Sequence, residues 1–154
     1  EPWNYICSDY ISLKQWDEAM DAAQKGLALN KNNVLLQSNY QFAKSQKQTV
    51  GSEVQVALDA VKKNETPENY VNLSLAYYNV KDYQKMAGAC KSAIKLNPNY
   101  AIAWNNLCSA YNSLHDWDNA IAAGKKALEI DPNYELAKNN LAEALKGKQS
   151  KPNK

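Results

Sequence analysis

Residues 104–120 read WNNLCSAYNSLHDWDNA and residues 3–19 read WNYICSDYISLKQWDEA, with ten of seventeen positions identical at a constant offset of 101. Few folds need the same sentence twice. A catalytic site is seldom required in two copies, whereas a unit that packs against copies of itself is. A finer period runs beneath this one. Pro98 and Pro132 sit in NPNY and DPNY, 34 residues apart. Stepping back 34 from Trp104, Leu107, Tyr111, Trp117 and Ala127 gives Tyr70, Leu73, Tyr77, Tyr83 and Ala93. The offset of 101 is one less than three such periods, so one residue is missing between the copies, within the poorly patterned stretch 34–66.

Inside each unit the spacing is helical. Trp104, Leu107, Cys108 and Tyr111 fall at i, i+3, i+4, i+7, one helix face. A short polar turn, Leu-His-Asp, separates them from a second stripe: Trp117, Ala120, Ile121, Gly124, Ala127, Leu128. Pro132 stops that helix, and Thr66-Pro67 reads as an N-cap followed by a first-turn proline. Two short antiparallel helices cannot bury their apolar faces alone, so each pair must stack on its neighbours. The expectation is an all-α chain of about nine helices. Its units are 1–33, a degenerate 34–66 interrupted by Thr-Val-Gly-Ser at 49–52, then 67–100 and 101–134. A closing helix over 135–147 and a disordered basic tail over 148–154 complete it.

Composition narrows the function. With 45% apolar residues and only five glycines and five prolines, the 154-residue chain is globular. All eighteen basic residues are lysine and the net charge is +2. Arginine forks for phosphate or guanine are absent, which argues against nucleic acid. No apolar run reaches the ~20 residues of a membrane helix, which argues against membrane insertion. Cys7, Cys90 and Cys108 match neither a disulfide framework nor a zinc motif and read as small core residues. Unpaired cysteines favour a reducing, cytoplasmic setting, with a soluble domain of an exported or membrane-anchored protein as the alternative. No catalytic constellation, metal site or cofactor motif is present, and the lone His115 falls in an inter-helix turn. The sequons Asn64-Glu65-Thr66 and Asn72-Leu73-Ser74 precede a proline and sit mid-helix, respectively, and carry little weight.

The residues at fixed offsets resemble the tetratricopeptide repeat. Position 4 holds Trp3, Tyr70 and Trp104; position 7 holds Ile6, Leu73 and Leu107; position 8 holds Cys7, Ser74 and Cys108. Position 11 holds Tyr10, Tyr77 and Tyr111; position 20 holds Ala19, Met86 and Ala120; position 27 holds Gly26, Ala93 and Ala127. Position 32 holds Lys31, Pro98 and Pro132. Position 24, usually a large aromatic, holds Ala23, Cys90 and Gly124, offset by the large Trp16, Tyr83 and Trp117 at position 17. The resemblance implies a right-handed α-solenoid whose first helices line a concave groove with positions 2, 5, 6, 9, 12 and 13. Position 6 is Asn39, Asn72, Asn106 and Asn140, similar to the asparagine ladder of O-GlcNAc transferase repeats.

An amide offers two donors and one acceptor, so a row of them can hold the backbone of an extended peptide without reading its sequence. The same amides can instead bond neighbouring helices. Val71, Leu75 and Tyr78, with Asn105, Ser109, Asn112 and Ile102, and with Asn139 and Glu143, complete the expected groove; Leu35 and Phe42 are its counterparts in the degenerate unit. The cations of a carboxylate clamp are missing at positions 5 and 9, which hold Asn4/Ser8, Val71/Leu75 and Asn105/Ser109. The expected function is a non-catalytic protein–protein interaction module binding a peptide or partner segment. The alternatives are a targeting or regulatory domain excised from a larger enzyme such as a glycosyltransferase, suggested by a start at Glu1 rather than Met, or a scaffold that self-assembles into homo-oligomers through its superhelix ends.

Overall fold

The computed structural model describes residues 2–150 and is helical throughout them, without strands. Eight helices follow in order: α1 (Pro2–Ser12), α2 (Trp16–Leu29), α3 (Val34–Lys63), α4 (Pro67–Asn79), α5 (Tyr83–Leu96), α6 (Ala101–Ser113), α7 (Trp117–Ile130) and α8 (Glu135–Gln149). The three helix pairs α1–α2, α4–α5 and α6–α7 are the repeats read from the sequence.

Each pair is joined by the same local chemistry. The first helix ends in a Schellman motif: Gln15, Asp82 and Asp116 donate their N–H groups to the carbonyls of Tyr10, Tyr77 and Tyr111 (2.8–3.0 Å). The residue in the left-handed conformation is Lys14, Lys81 or His115, with φ of 54°, 59° and 56°. Asp82 and Asp116 then cap the second helix, accepting from the N–H groups of Lys85 and Asn119. Hydrogen bonds from Lys85 hold Asp82 below the usual carboxylate range. Gln15 occupies the same backbone conformation and makes no side-chain cap. Each second helix ends in an Asx turn, in which Asn30, Asn97 or Asp131 accepts from the N–H two residues on (3.0–3.2 Å).

The expected nine helices are eight because the degenerate unit does not bend. Residues 34–63 form one unbroken helix through the Thr-Val-Gly-Ser sequence expected to interrupt it. Thr49 stands where Asp82 and Asp116 cap. Its hydroxyl donates back to the carbonyl of Ser45 (3.0 Å), an intrahelical bond that leaves the helix intact. Nothing draws the two halves of α3 together either. Positions 4, 8 and 11 are the exposed Gln37, Gln41 and Lys44, where complete repeats have aromatic or small residues, and position 20 is the exposed Glu53, where they have the buried Ala19, Met86 and Ala120.

The chain forms two compact units, Glu1–Ser52 and Glu53–Lys154. In the first, Leu36 and Ala43 of α3 pack with Cys7, Ala19, Ala22 and Ala23 of the first repeat. In the second, Val61 of α3 packs with Leu73 and Ala89, while the largest core joins α5, α6, α7 and α8 through Met86, Cys90, Leu107, Cys108, Ala120 and Ala144. The first half of α3 and α8 play the same part in their units. Lys47 pairs with Asp17 (2.5 Å) as Lys148 pairs with Asp118 (2.6 Å), at the familiar offset of 101. Lys148 and Gln149 therefore belong to α8 rather than to a tail, and residues 151–154 lie outside the described residues.

Candidate functional site

Helices α4, α6 and α8, the first helices of successive repeats, pack side by side in the second unit. Polar side chains link them. Asn106 donates from Nδ2 to Ser74 Oγ (3.2 Å), whose own hydroxyl donates to the carbonyl of Val71 (2.7 Å). Asn105 Nδ2 donates to Asn106 Oδ1 (3.3 Å), and Asn140 Nδ2 donates to Asn105 Oδ1 (2.9 Å). Asn112 Nδ2 donates to the carbonyl of Asn140 (2.8 Å) and lies 3.5 Å from Glu143 Oε2. A hydrogen-bonded seam thus runs from α4 across α6 to α8. Its members Ser74, Asn105, Asn106 and Asn112 are buried, and these bonds offset the cost of taking their polar groups out of water. The exception is Asn112 Oδ1, a buried acceptor without a partner.

The residues expected to line a groove therefore divide. Asn72, Leu75 and Tyr78 are exposed, the last two at 46%, with the Tyr78 ring 6.0 Å from that of Tyr83. Ile102, Asn139 and Glu143 are exposed as well, Ser109 is half-buried, and Leu136, not named among the expected groove residues, is exposed at position 2 of α8. Asn106, at 7%, is committed to the seam together with Asn105 and Asn112, and the half-buried Asn140 joins it. Val71 is buried against Ala93 and Ala103. In the first unit Asn39 is half-buried close to Cys7, while Leu35 and Phe42 are exposed, Phe42 lying edge-on to Trp16. Sequence reasoning missed Ser74. Its signal was a hydroxyl at the position where Cys7 and Cys108 stand in the sister repeats.

The three cysteines are buried and free. Burial pushes the Cys90 thiol up to about 11 and the Cys108 thiol up to about 12, the nearby Glu143 adding to the latter. His115 is exposed, with its ring 5.0 Å from that of Trp117. Among the described residues no group of three His, Cys, Asp or Glu side chains is placed to hold a metal ion, and no helix is long and apolar enough to cross a membrane.

Comparison with known proteins agrees with this architecture. Two family models, each described as tetratricopeptide repeat, match residues 67–100 and 101–134. No curated protein matches the sequence. Among solved structures, the MamA protein is 25% identical, with 96% of this chain covering 81% of that one at a TM-score of 0.61. A thermophilic TPR protein of Thermus thermophilus is 19% identical, with coverage of 96% and 81% and a TM-score of 0.60. The first TPR of Spaghetti (RPAP3), solved bound to the HSP90 peptide SRMEEVD, is 20% identical, with coverage of 96% and 91% and a TM-score of 0.53. Recurring helix pairs, the 34-residue period and the two matched models show that residues 67–134 of this chain are tetratricopeptide repeats.

Proposed function

We propose that this protein is an interaction module that binds an extended peptide segment along the face formed by α4, α6 and α8. The observation that carries the reading is the exposure of Leu75, Tyr78, Ile102 and Leu136 at positions expected to face the groove, with the amides of Asn72 and Asn139 exposed among them. Apolar anchors surrounded by solvated amides suit a peptide whose side chains insert while its backbone is bonded. The bound HSP90 peptide of the Spaghetti (RPAP3) repeat is an instance of a peptide held by this fold.

The seam limits which asparagines can serve. Asn72 has an accessible amide, whereas Asn106 already commits its donor to Ser74 and its acceptor to Asn105. The test is a selection from a displayed library of random linear peptides, followed by titration of the enriched peptides against the parent chain and a Leu75→Ala/Tyr78→Ala variant. Both substitutions are at exposed positions, so the variant is expected to fold. Binding weakened at least tenfold in the variant is the expected result; binding of equal strength would move the site elsewhere.

A further inference from the structure

The charge on this face differs from that of the unit carrying it. Residues 53–150 contain eleven lysines and eleven carboxylates, a net charge of zero (11 − 11). At groove positions 2, 5, 6, 9, 12 and 13 of α4, α6 and α8, the charged residues are Glu68, Glu143 and Lys146. Glu53 joins them, its carboxylate accepting from Asn79 Nδ2 at position 13 of α4 (3.2 Å). Three acids against one lysine make the face locally negative on a unit whose described residues carry no net charge.

Glu143 is the focus. It is exposed, and it forms none of the ion pairs found among the described residues. The Asn112 amide nitrogen lies 3.5 Å from its Oε2. Asn112 itself is 96% buried and its Oδ1 has no donor. A carboxylate and an unpartnered amide oxygen thus occur together on the α6–α8 seam. Both are acceptors, and the exposed carboxylate is the one that a cationic N–H group can reach. An acidic segment would meet Glu143 with like charge, with Lys146 the single cation at the groove positions and Val71, Leu75, Asn105 and Ser109 at positions 5 and 9 of α4 and α6.

We infer that the segment bound on this face is basic: an extended peptide carrying a lysine or arginine whose head group pairs with Glu143, with apolar side chains on Leu75, Tyr78 and Ile102. The inference rests on the peptide-binding reading above and adds the chemistry of the partner. It is opposite in charge to SRMEEVD, the peptide held by the Spaghetti (RPAP3) repeat.

The test uses the displayed peptides of the previous selection. The tightest is synthesised with each Lys or Arg replaced by Gln in turn, and all versions are titrated against the parent chain and Glu143→Gln, which keeps the side-chain length and an oxygen for Asn112. A lost charge-assisted bond is worth about tenfold in affinity. The expected result is enrichment of basic peptides, a tenfold loss on Glu143→Gln, and no further loss when the matching peptide cation is also removed. Enriched peptides that are neutral or acidic, or that ignore Glu143→Gln yet lose binding to Leu75→Ala/Tyr78→Ala, overturn the basic partner and leave the peptide-binding face standing. Absence of any enriched peptide overturns both.

Discussion

Asparagines at one repeat position do unlike work, and substituting them one at a time separates the roles. Asn106→Ala removes the bond to Ser74 Oγ and the acceptor used by Asn105 Nδ2. A net intramolecular hydrogen bond contributes about 0.5–1.5 kcal/mol, so two contribute about 1–3 kcal/mol. The orphaning penalty is small, because Ser74 keeps its bond to the Val71 carbonyl and Asn105 Nδ2 retains a long contact to Tyr134 Oη. With a urea dependence of about 2 kcal/mol per molar, the unfolding midpoint should fall by roughly 1 M. Asn72→Ala, at an exposed position, should change stability by no more than about 0.5 kcal/mol while weakening peptide binding. The assay is urea unfolding followed by circular dichroism, beside peptide titration on the same samples. If Asn106→Ala leaves the midpoint unmoved and abolishes binding, the amide faces the ligand and the seam does not hold the helices. Simultaneous substitution of Asn72, Asn106 and Asn140 would confuse the two effects, since it removes seam and surface together.

Other expectations follow from comparing the repeats. Gln15 shares its backbone conformation with the capping Asp82 and Asp116, so Gln15→Asp should stabilise the chain by about 1 kcal/mol, read from the denaturation midpoint; destabilisation would mean the cap geometry is not equivalent. Lys31 occupies the place of Pro98 and Pro132, and Asn30 before it is already extended (φ −142°, ψ 93°) as a residue preceding proline should be. Lys31→Pro should therefore add about 0.4–1 kcal/mol in the same assay, by restricting the unfolded chain. An added Cβ at Gly51 meets nothing within 4 Å, so Gly51→Ala within α3 should add about 0.5–1 kcal/mol; a loss would indicate that the helix bends there. Cys90 and Cys108 have raised pKa values, so their neutral thiols belong to the folded state. The unfolded chain ionises them near pH 9.0, and stability should fall as pH rises from there through about 11 and 12. Denaturation midpoints across that window should slope less steeply in Cys90→Ala/Cys108→Ala.

The fold was legible wherever side chains repeat at a fixed offset, because stacking imposes the same packing on each copy. The tyrosines at 10, 77 and 111, the aromatic residues at 16, 83 and 117 and the prolines at 98 and 132 located three helix pairs. The straight run of α3 was hidden because Thr49, Gly51 and Ser52 are turn-forming residues by composition. What governs the bend is whether polar caps and facing apolar surfaces exist on both sides, and Gln37, Gln41, Lys44 and Glu53 supply none. The site was legible only in outline. Periodicity identifies which residues share a face of a helix, but not how far a neighbouring helix covers that face. Thus Asn72 and Asn106 look identical in sequence, while Asn106 is covered and Asn72 is not.

The seam also makes each joint between first helices particular. The α4–α6 joint uses the Ser74 hydroxyl as acceptor for Asn106, whereas the α6–α8 joint uses Asn105 and the carbonyl of Asn140. A second copy of residues 101–134 spliced in after the first would place its position-6 asparagine where Asn140 stands, after a repeat bearing Cys108, with Asn105 Oδ1 rather than a serine hydroxyl as its acceptor. The repeat that comes first thus selects the partner for the next repeat's asparagine, through Ser74 at one joint and Asn105 at the other.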